Sequence, residues 1–592
     1  MIAQVVFDLP IDGPFDYLVP ESLVSSVAIG MRVKVSFGPR SQLGFVTGLL
    51  EKSAVVKLKP IVSLGDASVV FNHFDLLFAR DFCAYYGCSL GEALGTMLRN
   101  KKDLKPSVHR DHKPSFSLFR FPADTYAAKI KEIINAHDRS AKGGRFLILV
   151  PDAFRGQMLS PTLSLMEKDM ILKIGTRSSV FECDGQYDCV IMVDDEDFSY
   201  KQEQTPMYET RQVLLMRAKN FGFDVAFVGI SPSVELMALV REGKVKYSEK
   251  PPSSLLSMRT VDLSNYKFIP GLISPPVRDA LDAALKAGKK SILVLNRRGS
   301  YRLTRCVDCA EVLKCVHCAS PLAYSKSAGE YLCRHCTYSA PGDVLCPNCH
   351  KPSWRSMGIG VEQVQSELKK IFPQAKIVSF ERTGPVKRRT GIVRAGEASQ
   401  SLPDFDILIS TQAVLRFQGT LMVAMAAFID FDAEINRLDM RSAFNAFSLA
   451  LHVSSMVTKE MFLQTRNGGH YVLHNLSSGM TQGFYDEEIR LRRELGFSPF
   501  QHWVKITCRG KLEKSTQDYA QHVYNELMKT STQEGYAITP PLADAVGRKR
   551  GQFRFNLMVQ AALVAPAVAF IKSSMAQLKR RRGVIVTLNI DP

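Results

Sequence analysis

The amino-acid sequence predicts a multidomain α/β protein with a small N-terminal β domain, two parallel α/β lobes, a cysteine-rich insert and a C-terminal α+β domain. A chain of 592 residues is too long to fold around one hydrophobic core. Short, nearly continuous apolar runs alternate with helical stretches through its middle, which is typical of parallel sheets covered on both faces. Eight cysteines in four Cys-x-x-Cys pairs interrupt this alternation between residues 306 and 349.

The first 66 residues predict a small β domain of the barrel kind. Runs rich in β-forming residues, separated by turns that contain Pro, Gly or Asp, lie at 5–7, 31–37 and 44–49. Residues 72–98 follow with the apolar spacing of a helix. The polar, basic segment 100–114 contains two prolines and is predicted to be a linker.

Two parallel α/β lobes are predicted after this linker. In the first, apolar strands at 146–150, 190–193 and 225–229 alternate with helices at 125–136 and 208–220. The second has its first strand at 291–295 and resumes after the cysteines. The predicted domains are 1–99, the linker 100–114, the first lobe 115–251, the second lobe 276–303 with 355–467, the cysteine insert 304–354 and the C-terminal domain 468–592.

The cysteine segment predicts two structural zinc sites. Its pairs are Cys306 with Cys309, Cys315 with Cys318, Cys333 with Cys336, and Cys346 with Cys349. Two intervening residues let a tight turn aim both sulfurs at one tetrahedral ion, so four pairs make two closed four-thiolate sites. Disulfides would need an oxidising compartment that nothing else in the sequence indicates, and a redox pair would explain one motif but not four. The spacing leaves open which pairs share an ion.

The charge balance favours a polyanionic partner. Lysine and arginine number 76 against 58 aspartates and glutamates, a formal net charge of +18, which suits a nucleic acid or a membrane surface. A secretory signal is not expected, because residues 1–10 lack a basic start, and Asp8 and Asp12 interrupt any apolar core. No apolar run is long enough to span a bilayer, so we expect a soluble, cytoplasmic protein.

Several stretches along nearly the whole chain carry a resemblance to a known family. They are PFDYLVP at 14–20, RVKVSFG at 32–38, GTRS at 175–178, YKQ at 200–202, LNRRG at 295–299, GIGVEQ at 358–363, LGFSPF at 495–500 and NIDP at 589–592. In this order they resemble the primosomal protein N′ family of replication-restart DNA helicases. The resemblance implies RecA-like helicase lobes and a DNA-binding N-terminal domain. The winged-helix domain that the family often has is absent, since residues 100–114 leave no room for it.

The resemblance implies a pocket for the 3′ end of a DNA strand in the N-terminal domain. The matching positions are Phe15, Asp16, Gly38 and Lys59. Phe15 can stack on a base, Asp16 can accept hydrogen bonds from a base edge or a 3′-hydroxyl, and Lys59 can contact a phosphate. The alternative is that Phe15 belongs to the core and Asp16 to a turn.

The resemblance also implies a nested pairing of the cysteines. One zinc ion would take Cys306, Cys309, Cys346 and Cys349, and the other would take Cys315, Cys318, Cys333 and Cys336. His317, His335 and His350 lie beside these ligands and are interpreted as bystanders, because eight thiolates already fill both sites. In the family this region contacts other primosome proteins, and a platform role is the natural one for it in a chain without a motor.

Most of the ATP-hydrolysing machinery that the resemblance implies is altered. A P-loop needs glycines, whose backbone N–H groups wrap the phosphates, followed by a lysine. The corresponding segment 121–125 has no glycine, contains Pro122 and places Asp124, before Thr125, near the expected lysine. A carboxylate at this helix N-terminus repels a triphosphate and is better interpreted as a helix cap.

The acidic box Asp194, Asp195 and Glu196 follows an apolar strand, but the family's histidine is missing from it. Asp194 could hold Mg²⁺, although solvated acids at a strand end are the simpler interpretation. The family's paired arginines are replaced by segment 452–459, in which Lys459 alone keeps a positive charge. We therefore predict a degenerate nucleotide site with no catalytic residues, and expect neither ATP nor Mg²⁺ as a cofactor.

The sequence thus predicts a replication-restart primosome protein without its own helicase activity. It would bind DNA forks, 3′ ends and single strands, and would recruit primosome and helicase-loading proteins and single-strand-binding protein, with no membrane partner. We expect it in the cytoplasm, associated with the bacterial nucleoid. One alternative is an active ATP-dependent 3′→5′ DNA helicase with unfamiliar nucleotide contacts. Another is a zinc-bearing nucleic-acid-binding protein that uses the same scaffold for RNA or transcription.

Overall fold

A computed structural model describes most of the chain. The described residues are 1–100, 105–137, 144–163, 171–249, 256–266, 271–295, 304–309, 311–316, 321–325, 329–333, 338–356, 360–381, 393–394, 402–437, 439–549, 551–579 and 581–592. Among them, no helix combines the length and apolar character that crossing a membrane requires.

The N-terminal domain is a closed five-stranded barrel, in the order β1–β2–β5–β3–β4, followed by two helices. The elements are β1 (Ile2–Val6), β2 (Phe15–Leu18), β3 (Arg32–Phe37), β4 (Arg40–Leu50), β5 (Lys59–Leu64), α1 (His73–Tyr86) and α2 (Leu90–Asn100). Val5, Tyr17 and Val33, from three different strands, are buried inside the barrel. Asn72 starts α1 with a capping box to Asp75. The predicted barrel is confirmed.

The first lobe is a six-stranded, fully parallel sheet in the order β11–β6–β10–β9–β7–β8. Its elements are β6 (Phe116–Arg120), α3 (Tyr126–His137), β7 (Arg145–Leu149), α4 (Ala153–Leu163), β8 (Ile171–Gly175), β9 (Cys189–Val193), α5 (Thr210–Phe221), β10 (Asp224–Gly229), α6 (Val234–Arg241) and β11 (Lys246–Glu249). Every residue of the central strand β9 is buried, which explains why it appears in the sequence as a continuous apolar run.

The second lobe is a seven-stranded parallel sheet that surrounds the insert in sequence. Before the insert, the lobe contains β12 (Ser257–Asp262), α7 (Pro275–Lys286) and β13 (Ser291–Val294). The insert contains β14 (Thr304–Cys306), β15 (Leu322–Ser325), β16 (Glu330–Cys333), β17 (Ser339–Pro341) and β18 (Trp354–Ser356). After the insert, the lobe continues with α8 (Val361–Ile371), β19 (Ile377–Glu381), β20 (Val393–Arg394), β21 (Ile407–Ser410), β22 (Val423–Phe428), α9 (Asp432–Ile435), α10 (Ser442–Ser454) and β23 (Val457–Thr465). The strand order is β12–β23–β22–β13–β21–β19–β20, with every pair parallel. Strand β12 was not predicted, because this edge strand has few buried residues and therefore no apolar run.

The C-terminal domain is an antiparallel sheet covered by two long helices. Its elements are α11 (Tyr471–Ser477), α12 (Thr481–Glu494), β24 (His502–Gly510), α13 (Glu513–Glu534), β25 (Ala537–Ile538), β26 (Leu542–Lys549), β27 (Gln552–Ala561), α14 (Val564–Ala576) and β28 (Val584–Ile590). The strand order is β25–β27–β24–β28, with β26 also paired to β27. Alternate residues of β24 and β27 are buried, which makes this the predicted α+β region.

The described part of the predicted linker, residues 105–114, packs between the N-terminal domain and the first lobe. The backbone N–H and hydroxyl of Ser107 donate to Asp75 at 2.9 and 2.6 Å. The fully buried Arg217 of the first lobe donates to the same hydroxyl at 3.3 Å and to the carbonyl of Cys183 at 2.6 Å. The segment therefore joins the two domains through a buried polar contact.

The last residues of the chain bring three domains together. Lys201 of the first lobe donates to the carbonyl of Ile590 at 2.6 Å, and Arg441 of the second lobe donates to that of Asp591 at 3.4 Å. The Asp591 carboxylate in turn contacts His502 of β24 at 2.7 Å. One cluster of buried apolar side chains also continues from α1 through both parallel sheets to the C-terminal sheet. The two lobes and the C-terminal domain thus share one apolar cluster, while the barrel has a cluster of its own.

Candidate functional sites

The aromatic position of the predicted 3′-end pocket is partly buried within the barrel domain. The ring centroid of Phe15 lies 5.8 Å from that of Phe7 and 5.4 Å from that of Phe37. Gly38 follows Phe37 in the β3–β4 turn with φ +59°, a conformation that favours glycine. A Cβ atom added at Gly38 would meet no atom within 4 Å, so the space beside this backbone is open.

The polar positions of the pocket lie on neighbouring strands. Asp16 belongs to strand β2 and not to a turn, and it is half-buried. Its carboxylate oxygen Oδ2 accepts a hydrogen bond from the hydroxyl of Ser53. Lys59 is exposed at the start of β5, opposite Tyr17 in the β2–β5 pair. The barrel thus carries Asp16 and Lys59 on adjacent strands, and Phe15, the neighbour of Asp16, packs against Phe7 and Phe37.

The segment that replaces the P-loop forms a short turn in front of α3. The turn is the 3₁₀ segment Ala123–Thr125, with Pro122 as its N-cap. The prediction that Asp124 caps the helix is wrong, because this residue lies inside the turn and its side chain is exposed. The Thr125 hydroxyl donates to the carbonyl of Pro122 at 2.7 Å and is thereby bonded to the backbone.

The first acid of the acidic box is buried and paired, and is not a solvated group. Asp194 follows β9 with φ +50° and is 2% exposed. Tyr126 of α3 donates to its Oδ1 at 2.6 Å, and the Arg155 guanidinium of α4 lies 3.3 Å from its Oδ2. Burial and the charge of Asp194 raise the pKa of Tyr126 well above its usual value, so the phenol remains a hydrogen-bond donor.

The second acid is held within the first lobe. Asp195 accepts hydrogen bonds from Arg211 at 2.9 Å and from the Ser233 hydroxyl at 2.5 Å. The backbone N–H of Ser233 donates to the same carboxylate at 3.2 Å. Because all three donors belong to α5 and to the start of α6, this carboxylate helps to fix those helices at the edge of the sheet.

The third acid contacts the second lobe directly. Oε1 of Glu196 lies 2.8 Å from Nε2 of His452, on α10. The Ser231 hydroxyl lies 2.8 Å from the same oxygen and 2.8 Å from the hydroxyl of Ser448, also on α10. The acidic strand end is therefore covered by side chains of the opposite lobe. His452 lies in the segment where the family's arginines were expected, and it contacts an acid directly.

Gln418 of the second lobe completes this bridge. Its Oε1 accepts a hydrogen bond from Arg155 at 2.7 Å and lies 3.1 Å from Nδ1 of His452. Arginine can only donate, so the atom facing it is the amide oxygen, and Nδ1 of His452 must then carry a proton. Two states then remain for the contact between Nε2 and Glu196. Either Nε2 is also protonated, and an imidazolium faces a carboxylate, or Nε2 accepts a hydrogen bond from a protonated Glu196 carboxyl group.

These groups balance their own charge. Asp194 and Glu196 contribute two negative charges, and Arg155 with a protonated His452 contributes two positive charges. Burial raises the pKa of Glu196 to about 7, although its hydrogen bond to His452 opposes the shift. Burial alone would lower the pKa of His452, but the hydrogen bond to Glu196 and the charge of Asp194 raise it overall. The pair therefore retains its shared proton near neutral pH.

The same cluster has the composition of a divalent-cation site. Asp194, Glu196 and His452 offer ligand atoms within 4.8 Å of one another, a set that can hold a metal ion. Asp194 Oδ2 and Glu196 Oε2 are buried without a hydrogen-bond partner among the described residues. Arg155, however, already neutralises Asp194 from 3.3 Å and repels a second cation there. The residues present therefore fit an internal ion-pair cluster better than a Mg²⁺ site.

Four cysteines of the insert converge on one point. The Sγ atoms of Cys306 and Cys349 lie 3.5 Å apart, as do those of Cys309 and Cys346. Sulfurs on a tetrahedral zinc ion, with bonds of about 2.3 Å, would lie roughly 3.8 Å apart. These four residues can therefore hold a zinc ion.

The other predicted cysteine set is described in part. Cys315 and Cys333 are both buried beside one small apolar cluster of the insert. Cys318 and Cys336, together with the neighbouring His317 and His335, lie outside the described residues. The second zinc site therefore stays a prediction.

The residues that bind the acidic box were not predicted from the sequence. Tyr126, Arg155 and Ser231 all lie just beyond the carboxyl ends of parallel strands or at the start of the helices that follow. That edge of a sheet is where side chains meet in parallel α/β folds, so the pattern could have suggested them. Gln418 and His452 carry no such signal, because only the packing of the two lobes brings them to this edge.

Two parallel α/β lobes that close over an acidic strand end, behind an N-terminal barrel, define a multidomain protein of the helicase-like class. The model of a family described as the 3′ DNA-binding domain (3′BD) matches residues 4–99. The model of the primosomal protein N C-terminal domain matches residues 493–592. Both ends of the chain thus match domain models named for primosomal proteins, and the chain is similar over its whole length to replication restart proteins PriA.

Similar proteins include replication restart proteins PriA from two organisms. The protein from Treponema pallidum is 25% identical over 666 residues, covering 100% of this chain and 99% of the relative. The protein from Bacillus subtilis is 23% identical over 472 residues, covering 76% of this chain and 57% of the relative. Among solved structures, RecG bound to a three-way DNA junction is 12% identical, with a TM-score of 0.27 over 64% of this chain and 40% of that chain.

Proposed function

We propose that this protein acts in replication restart by binding forked or 3′-ended DNA and recruiting partners that reload the replicative helicase, without a motor of its own. The observation that carries the DNA-binding part is the match of residues 4–99 to a 3′ DNA-binding domain. This domain is the barrel with α1 and α2, and the residues predicted to meet the DNA end belong to it. The net charge of +18 supports a polyanionic partner.

The absence of a motor is supported by the way in which the acidic box is used. A helicase lobe needs its strand-end acids and phosphate loop free for a nucleotide and Mg²⁺. In this chain Asp194 is bonded to Tyr126 and paired with Arg155, and Glu196 is bonded to His452. A triphosphate would have to displace these buried pairs without a glycine-rich loop to receive it. We therefore propose a pseudo-helicase.

The partners are proposed from the resemblance to replication restart proteins. Primosome proteins, a helicase loader and single-strand-binding protein are the expected partners, and the bacterial nucleoid is the expected location. We propose two zinc ions per chain, one on Cys306, Cys309, Cys346 and Cys349 and one on Cys315, Cys318, Cys333 and Cys336. The insert that carries them, 304–354, would serve as a contact platform.

The proposal is tested by measuring ATP hydrolysis and fork binding on the same preparation. We expect no DNA-stimulated turnover, with or without Asp124→Lys, together with tight, salt-dependent binding to forks. DNA-stimulated hydrolysis would replace the pseudo-helicase proposal with an active 3′→5′ helicase. Equal affinity for forks and plain duplex would favour a general nucleic-acid-binding protein instead.

The 3′-end pocket is tested separately. Phe15→Ala combined with Asp16→Ala should weaken binding to forks with a free 3′ end more than binding to blunt duplex. A matched control combines Val24→Ala with Glu21→Ala, since both residues are exposed on the same domain. The pocket assignment is wrong if the first pair weakens both DNA substrates equally, or if the control pair has the same effect.

A further inference from the structure

A loop of the barrel is bonded to the acid of the proposed 3′-end pocket. This loop, residues 51–58, connects β4 to β5. Its Ser53 hydroxyl donates a hydrogen bond to Oδ2 of Asp16, and the backbone N–H of Val55 donates to the Ser53 oxygen at 3.0 Å. The two bonds form a chain from the loop backbone to the carboxylate. Among the described residues, no other side chain donates a hydrogen bond to Asp16.

The same loop carries positive charge and exposed apolar surface. Lys52 and Lys57 are exposed within it, and Lys59 is exposed directly after it. At its tip, Val55 is 52% exposed and Val56 is fully exposed. Glu51 is the one acidic residue of the loop, so the segment from Lys52 to Lys59 is purely basic in its charged side chains.

We infer that Ser53 is a positioning residue, which holds Asp16 in the orientation that recognises the terminal 3′-hydroxyl while the loop covers the terminal nucleotide. The inference rests on the proposed function, because it gives Asp16 its DNA-end role. One carboxylate oxygen is occupied by Ser53, which leaves Oδ1 to accept a hydrogen bond from the DNA end. The lysines on either side of Ser53 then lie beside the strand backbone, where phosphates give affinity but not end selectivity.

This arrangement separates two properties of binding. Selectivity for a 3′-hydroxyl depends on the direction of the Asp16 carboxylate, because a hydrogen bond weakens steeply as its angle departs from linearity. Affinity for any strand depends on the number of phosphates that the lysines neutralise. Removing the Ser53 hydroxyl should therefore change selectivity, whereas removing the lysines should change affinity and its salt dependence.

The test compares the affinities of Ser53→Ala, Ser53→Thr and the control Ser25→Ala for three DNA probes. The probes are a fork with a 3′-hydroxyl end, the same fork with a 3′-dideoxy end, and blunt duplex. Ser53→Ala should lower the preference for the hydroxyl end by about fivefold, the value of one hydrogen bond. Ser53→Thr should restore the preference, because threonine keeps the hydroxyl, and Ser25→Ala should leave it unchanged.

The result that overturns the inference is an unchanged preference in Ser53→Ala while Asp16→Ala abolishes it. Equal loss on all three probes would also overturn it, since the role of Ser53 would then be structural. If Asp16→Ala itself keeps the preference, the proposed pocket fails together with the inference. Lys52→Ala with Lys57→Ala should reduce the salt dependence on every probe by about two phosphate contacts, and an unaltered slope would contradict the placement of the loop over the strand.

Discussion

Replacing His452 by leucine tests the contact between the lobes most directly. The substitution removes the 2.8 Å interaction with Glu196 and the 3.1 Å interaction with Gln418. The Glu196 side chain is 5% exposed, so without His452 its carboxyl group would either keep a buried, unpaired charge or take up a proton. Breaking a buried pair from one side costs about 3–5 kcal/mol, and His452→Leu should lower the free energy that holds the lobes together by that amount.

The matched comparison is His452→Leu in a Glu196→Gln background. Glutamine keeps the shape of glutamate and can still accept a hydrogen bond from the Ser231 hydroxyl, but it is neutral and leaves no unpaired charge when His452 is removed. The loss of His452 should then cost only about 1–2 kcal/mol, the value of the hydrogen bonds removed. The difference between the two backgrounds is the coupling energy of the pair.

Native-state hydrogen exchange in α10 (Ser442–Ser454) is the suitable assay, because it reports the local opening free energy in a multidomain chain that need not unfold in two states. Equal costs of His452→Leu in both backgrounds would refute the pairing. So would full retention of α10 protection in the single variant, since the contact would then contribute nothing to holding the lobes.

The same pair predicts a pH dependence with a definite sign. Burial raises the pKa of Glu196 from 4.5 to about 7, and the pKa of His452 is also raised above 6.5. Groups with raised pKa values bind protons more tightly in the closed state, so their stabilising contribution is complete at low pH and is lost as pH rises. Because Glu196 and His452 share a proton, the loss belongs to the pair and not to either group alone. Protection of α10, corrected for intrinsic exchange, should fall between pH 5 and 8, and Glu196→Gln with His452→Leu should remove that slope.

Three further predictions concern other parts of the chain. Metal analysis should find about two zinc ions per chain, Cys346→Ser should lose one of them, and chelation should lower stability; a stably folded protein without metal would contradict this. Burial opposes ionisation of Glu235, but Arg492 and other arginines hold its pKa at about 2, so its contribution is present above pH 4.5 and is lost as pH falls toward 2. Glu235→Gln should therefore lower the free energy of unfolding at pH 7 by about 3 kcal/mol, and that free energy should fall less steeply between pH 4.5 and 2 than in the unaltered protein. The assignment is refuted if urea titrations show the same fall in both proteins. Asp591→Ala should lower hydrogen-exchange protection in β24 by about 1–3 kcal/mol, because His502 and a backbone N–H lose their acceptor; unaltered exchange would rule this out.

The elements that the sequence predicted best are those whose burial pattern is simple. β9 is buried at every position, and the sequence shows it as the continuous apolar run 190–193. The four cysteine pairs were equally visible, because ligand spacing is a local property. β12 was missed because an edge strand has a neighbour on one side only and does not need an apolar sequence.

The acidic box shows why a site is harder to predict than a fold. The sequence placed Asp194 and Glu196 at a strand end, where solvated acids were the simpler interpretation. They are buried because α10 of the other lobe covers them, and the distance between Glu196 and His452 along the chain, 256 residues, has no local signature. A histidine where the family's arginines were expected was interpreted as a loss, whereas it contributes a new contact.

The contact between Glu196 and His452 suggests what the two lobes would do in the proposed function. A motor needs an interface that opens and closes with the nucleotide, because each state must bind the nucleotide differently for work to be coupled. An interface held by internal pairs has no ligand with which to change its equilibrium. The lobes would then keep the barrel, which Asp75, Ser107 and Arg217 join to the first lobe, at a fixed position relative to the cysteine insert. For a protein that recognises a DNA end with one domain and presents partners on another, a constant separation between the two is sufficient, and hydrolysis of ATP would add nothing to it.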